Sequence, residues 1–128
     1  MSARWAVHAT RNFERNLESI RLFLADLEET EAPRTFDRLV EKLLDEVIPN
    51  LEQFPRLGVD FLARKSHSLE STLKIKAIQA KLGEGSSIRE YIVGDYIVLY
   101  AVSTNRVDLL AIKHHRQLSF DLRGHWGT

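Results

Sequence analysis

REYIVGDYIVLYAV, residues 89–102, decides how this chain is read. Two runs of apolar and aromatic residues flank Gly94-Asp95, and a two-residue turn with glycine first suits a tight antiparallel hairpin. Side chains alternate along a strand, so pairing Val93 with Tyr96 puts Arg89, Tyr91, Val93, Tyr96, Val98 and Tyr100 on one face. Ile88, Glu90, Ile92, Ile97, Leu99 and Ala101 take the other. STNR (103–106) makes the next turn, and VDLLAIKHH (107–115) returns as the third strand of a meander.

Upstream of the hairpin the period changes from two to that of a helix. Phe13, Leu17, Ile20, Leu24 and Leu27 recur at spacings of four and three, one apolar stripe, with Thr10 placed to cap the first turn. A second helix begins near Thr35, with Phe36, Val40, Leu43, Val47 and Leu51 as its stripe and Leu39, Leu44 and Ile48 widening it. Pro49 has no N–H to donate, so a kink or restart is expected there. Pro55 and Gly58 in FPRLG (54–58) end the element. Together these predict an αα-hairpin over about residues 11–57. Before it, RWAVHA (4–9) reads as a short strand with Trp5, Val7 and Ala9 on one side. Between hairpin and meander, Ser68 is placed to cap a third helix in which Leu69, Leu73, Ala77 and Ala80 share a face and Gly83 ends it. The order predicts an α+β fold, helices on one face of a mostly antiparallel sheet.

The totals bound the function. The chain has 128 residues, enough for one self-standing domain. No cysteine is present, which excludes disulfides, thiolate catalysis and cysteine-ligated zinc. The five histidines (8, 67, 114, 115, 125) show no zinc spacing, and no phosphate-cradling glycine loop or nucleophile elbow appears. No cofactor or metal is expected. The N-terminus lacks the apolar core of a signal peptide, and no uncharged run approaches the ~18 residues of a membrane span. A cytoplasmic protein with no membrane partner is expected. Net charge is zero, yet residues 1–60 carry 8 Lys/Arg and 12 Asp/Glu, and residues 61–128 carry 10 and 6. The basic second half suits an anionic partner, although two ordinary solvated surfaces explain it as well.

Strand, paired helices and meander in this order, with FPRLG and REYIVGDYIVLYAV, resemble the RelE/ParE toxins of type II toxin–antitoxin systems. The likeness of the hairpin is specific: an Arg, an aromatic, a tight turn, then Tyr96 and a second Tyr four residues on. LLAIKHHRQLSF (109–120) is similar to the family's strand that ends in a histidine-arginine element. The resemblance covers most of residues 1–128 as a single domain, with 62–86 longer than the usual connection and read as a helical insertion. It implies a growth-arresting toxin with a role in plasmid stabilisation, bound in a hetero-oligomer by a cognate antitoxin.

The branch decides the target. ParE-like members are non-enzymatic inhibitors of DNA gyrase, and RelE-like members are ribosome-dependent mRNA endonucleases. RNA cleavage needs a base for the 2′-OH, cations for the phosphate and an acid for the leaving oxygen. Phe120 stands where the nucleases hold a late tyrosine, Ile97 where they often hold an arginine, and their lysine pair has no clear counterpart, although Lys74, Lys76 and Lys81 lie upstream. The ParE-like reading is therefore preferred, with no catalytic residues expected. The alternative is an mRNA interferase acting on mRNA at the ribosome through His114, His115 and Arg116, of which adjacent histidines on a strand cannot both face one site. A non-toxic binding module is the second alternative. The resemblance assigns target binding to Arg89, Tyr91, Arg116 and Phe120. Leu22, opposite the first helix's apolar stripe, Phe23 at its flank and Trp126 in the tail are antitoxin-binding candidates. Plainer roles compete: an ion pair for Arg89, a wall beneath the helices for the tyrosines, a folded-back tail for Trp126.

Overall fold

The computed structural model describes residues 4–27, 32–63, 68–117 and 120–122. Strand β1 (Ala6–Ala9) leads into α1 (Arg11–Leu27). Next come α2 (Ala32–Lys42), a π-helical stretch (Leu43–Val47) and α3 (Ile48–Gln53), then β2 (Val59–Asp60) and a 3-10 turn (Phe61–Ala63). The last elements are α4 (Leu69–Leu82), β3 (Ser87–Val93), β4 (Tyr96–Ser103) and β5 (Arg106–His114). The five strands form one sheet in the order β1-β5-β4-β3-β2. Three pairings are antiparallel, and β1 lies parallel to β5.

The central hairpin has the expected register. Val93 pairs with Tyr96, and Gly94 takes the positive φ of 57° that its turn position demands. One sheet face carries Val93, Val98, Tyr100, Val102, Val107, Leu109 and Ile112 under Phe13, Ile20, Leu39, Leu43, Val47 and Leu51 of the helices. Thr10 caps α1 as its position suggested. Its hydroxyl accepts from the Phe13 N–H at 3.2 Å and donates to the Leu109 carbonyl at 2.8 Å, which fixes the helix to the sheet.

Helix α2 starts at Ala32 rather than near Thr35, with Pro33 in its first turn, where no N–H is missed. It packs against α1, but residues 28–31 between them lie outside the described residues, as does the Leu27 side chain. The disturbance at Pro49 takes the form of a π-turn: the Ile48 N–H reaches back five residues to the Leu43 carbonyl. Leu44 ends exposed instead of widening the stripe.

Two expectations need correction. The helices do not all lie on one face: α4 covers the other side of the sheet, where Ile75 and Ile78 pack with Phe61, Ile88, Leu99, Ala101, Leu110, Ala111 and Leu122. The helix has the expected cap, the Ser68 hydroxyl accepting from Ser71 N–H, and the expected stop at Gly83. Its shared face of Leu69, Leu73, Ala77 and Ala80 nevertheless points outward, and Ile75 and Ile78 are buried in its place. A chain that must cover two apolar sheet faces needs an element on each, and the long connection supplies the second.

Candidate functional site

Two of the segments quoted for the family resemblance, FPRLG and REYIVGDYIVLYAV, are tied together around Gly58. Phe54 to Gly58 leaves α3 and runs alongside β3. The Arg89 guanidinium donates to the carbonyls of Gly58 (2.8 Å) and Arg56 (3.3 Å) and, through Nε, to the Ser87 hydroxyl (3.1 Å). The Tyr100 hydroxyl accepts the Gly58 N–H at 2.8 Å. Burial, the main cause, raises the Tyr100 pKa above the ordinary phenol value, so this hydroxyl stays protonated. Tyr91 is tied as well, its hydroxyl accepting from Asn50 Nδ2 at 3.0 Å. Arg89 and Tyr91, placed on a target-binding face from the sequence, thus have structural partners within the chain.

A second group gathers at the end of the sheet around Gly94-Asp95. The His115 N–H donates to the Asp95 carbonyl at 2.8 Å, docking the end of β5 onto the hairpin turn. The His114 ring meets Tyr96 edge-on, centroids 5.3 Å apart, and stacks on His115 at 4.4 Å. Alternation had kept the two histidines on opposite faces. Strand β5 ends at His114, however, so His115 begins a turn and swings back over its neighbour. The Arg116 N–H donates to His114 Nδ1 at 3.1 Å, leaving Nε2 to carry the proton of the neutral ring. Burial lowers the His114 pKa first, and His115, Arg116 and Lys113 lower it further against the opposing pull of Asp95. Lys42, at the end of α2, brings its ammonium to 3.8 Å from where a Cβ on Gly94 would stand. Tyr96, too, has its pKa raised, by burial and then by Asp95.

Phe120 does not join either group. It packs against the α4 side of the sheet, with Lys113 Nζ 5.3 Å from its ring centroid. Of the four residues assigned to target binding, Arg89 and Tyr91 lie on the α2–α3 face, Arg116 at the sheet end and Phe120 on the reverse. Leu22 and Phe23 are exposed, at 53% and 62%. Trp126 lies outside the described residues. Among the described residues no group of His, Asp and Glu is placed to hold a metal ion, and no helix is long and apolar enough to cross a membrane.

Sequence reasoning missed the polar seam between α1 and β5. Asn12 Nδ2 donates to the carbonyls of Leu110 (2.8 Å) and Asp121 (2.9 Å), and Asn16 Oδ1 accepts the Ile112 N–H at 3.0 Å. Strand β1 stops opposite Leu109, so these side chains serve the backbone groups that a longer strand would have paired. Arg15 then grips the Asp121 carboxylate with both terminal nitrogens, each at 3.1 Å. The available signal was two asparagines four apart beside Phe13 and Leu17.

Residues 7–119 match the family model described as ParE toxin of type II toxin-antitoxin system, parDE. No curated protein matches the chain.

Proposed function

Because the chain belongs to the ParE toxin family of type II toxin–antitoxin systems, we propose that it arrests growth by binding DNA gyrase in the cytoplasm and is silenced by a cognate antitoxin. The observation that carries this reading is the reach of the family match, which spans β1 to the end of the meander. The geometry supports binding over catalysis. Phe120 has no proton to give and lies on the reverse of the sheet from Tyr96 and His114. His114 has its Nδ1 committed to the Arg116 backbone.

One observation favours a second reading, a ribosome-dependent mRNA endonuclease. His114 and His115 stack with Arg116 following in the same turn, a set that offers a proton carrier and a cation for a phosphate. Induced expression with DNA replication and translation followed separately decides between them. Replication arrest with double-strand breaks supports gyrase inhibition, and immediate translation arrest with cut mRNA supports the nuclease. Growth without arrest points to a binding module that has lost toxicity.

A further inference from the structure

We propose that a second copy of this chain docks on the outer face of α4, helix against helix and antiparallel. The helix is apolar on two opposite sides. Ile75 and Ile78 hold it to the sheet, and Leu69, Leu73, Ala77 and Ala80 form an outer stripe on which Leu69 is 75% and Leu73 57% exposed. A surface helix needs one apolar face to dock; the second has no partner among the described residues.

The stripe is complementary to itself when reversed. Its large residues lie at the N-terminal end and its small ones at the C-terminal end. A twofold axis near Ile75 sets Leu73 against Ala77 of the other copy and Leu69 against Ala80, each contact made twice. Beside Ala80 lies an open hollow of about 490 Å³ bordered by Leu62, Lys76, Gln79, Gly83 and Glu84, which receives the Leu69 side chain of the second copy. Charges agree with the same register. Glu70 and Lys81 share one flank of the helix, and the axis brings Glu70 beside Lys81 of the second copy. Glu70 already pairs with its own Lys74 at 3.3 Å, so each carboxylate lies between two ammoniums and offsets the repulsion between the two Lys74 groups near the axis. Parallel pairing would stack leucine on leucine and set Glu70 beside Glu70. One helix face is smaller than the ~800 Å² per partner of standard interfaces, so the dimer is weak and forms as concentration rises.

The full chain has no cysteine, which makes disulfide trapping clean. Leu73→Cys and Ala77→Cys are made separately, both at exposed positions that leave folding intact. Under mild oxidation an equal mixture is expected to cross-link about tenfold faster than either variant alone, because like positions are offset by about 6 Å along the helix and disulfides tolerate little misplacement. Light scattering is expected to show the mass of the unmodified chain rising toward a dimer with concentration, and Leu73→Glu remaining a monomer. A monomer at every concentration up to ~0.5 mM overturns the proposal, including the case in which only an acidic helix of another protein binds α4. Equal cross-linking of the mixture and the single variants overturns the antiparallel register. Neither readout depends on gyrase, so failure here leaves the toxin reading standing.

Discussion

The Tyr100 hydroxyl accepts the Gly58 N–H at 2.8 Å across 42 residues of sequence, joining the end of the helical half to the middle of the sheet. Gly58 approaches so closely that a Cβ placed on it would stand 2.5 Å from the Glu90 carbonyl oxygen, and that backbone cannot yield without disturbing β3. Gly58→Ala is therefore expected to destabilise by about 3 kcal/mol, at the upper end of overpacking costs. Tyr100→Phe keeps the ring but leaves the Gly58 N–H without its acceptor, for a loss of about 1–3 kcal/mol. Urea unfolding of the two variants checks both values. A Gly58→Ala protein as stable as the unmodified chain would show that β3 and the Phe54–Gly58 segment are not held together.

The hairpin was legible because period two, a glycine turn and aromatic runs all agree at residues 88–102. The covering of the second sheet face was not. On α4 the stripe of Leu69 and Leu73 and the pair Ile75 and Ile78 are equally apolar, so period alone cannot choose which is buried. Contacts with Ile88, Leu99 and Leu110 choose it. A bulge hides in LLAIKHH as well. Leu99 pairs with Ala111 but Tyr100 with Leu109, so Leu110 is extra, and both it and Ala111 face α4. No glycine or proline marks that site, and everything after it changes side, including His114. Arg89 and Tyr100 were picked out as signature residues without any sign that both hold Gly58.

The Asn16 carboxamide accepts the Ile112 N–H just beyond that bulge, where β1 no longer pairs. Asn16→Ala leaves this buried donor unsatisfied and is expected to cost about 1–3 kcal/mol. Hydrogen exchange of the Ile112 amide is the direct measurement: protection should fall more at Ile112 than at Val98, in the middle of β4. Uniform loss along both strands would mean that Asn16 supports the fold only in general.

His114 provides the pH dependence. Its pKa in the folded chain is lowered, chiefly by burial, so the folded state binds its proton less readily than the unfolded state does. The stability it contributes is present above the ordinary histidine value of about 6.5 and is lost as pH falls through the lower folded value. Nuclear magnetic resonance titration should place the His114 midpoint below that of histidine in the urea-unfolded chain. Replacing Asp95 with Asn removes a nearby charge that favours protonation and should lower the midpoint further. A midpoint at or above the unfolded one would contradict the Arg116 N–H to Nδ1 bond, because Nδ1 accepts only in the neutral ring that carries its proton on Nε2.

The sharpest distinction between binding and catalysis comes from comparing Arg89 with the histidine pair. Arg89 holds the carbonyls of Gly58 and Arg56, so Arg89→Ala is expected to lower stability by about 1–2 kcal/mol and to reduce toxicity only as far as folded protein is lost. His114→Ala combined with His115→Ala removes the stacked imidazoles at the sheet end, and a gyrase inhibitor should keep most of its toxicity without them. A nuclease that relied on either ring for proton transfer would lose about 10²- to 10⁴-fold in cleavage. Arg116→Ala is the needed control, since a cation there can serve a binding surface as well as a phosphate and its loss weakens toxicity under both readings. Growth arrest and ribosome-dependent cleavage are scored for each variant at matched levels of folded protein. Cleavage that appears with the unmodified chain and vanishes in the double histidine variant replaces gyrase inhibition with the enzyme.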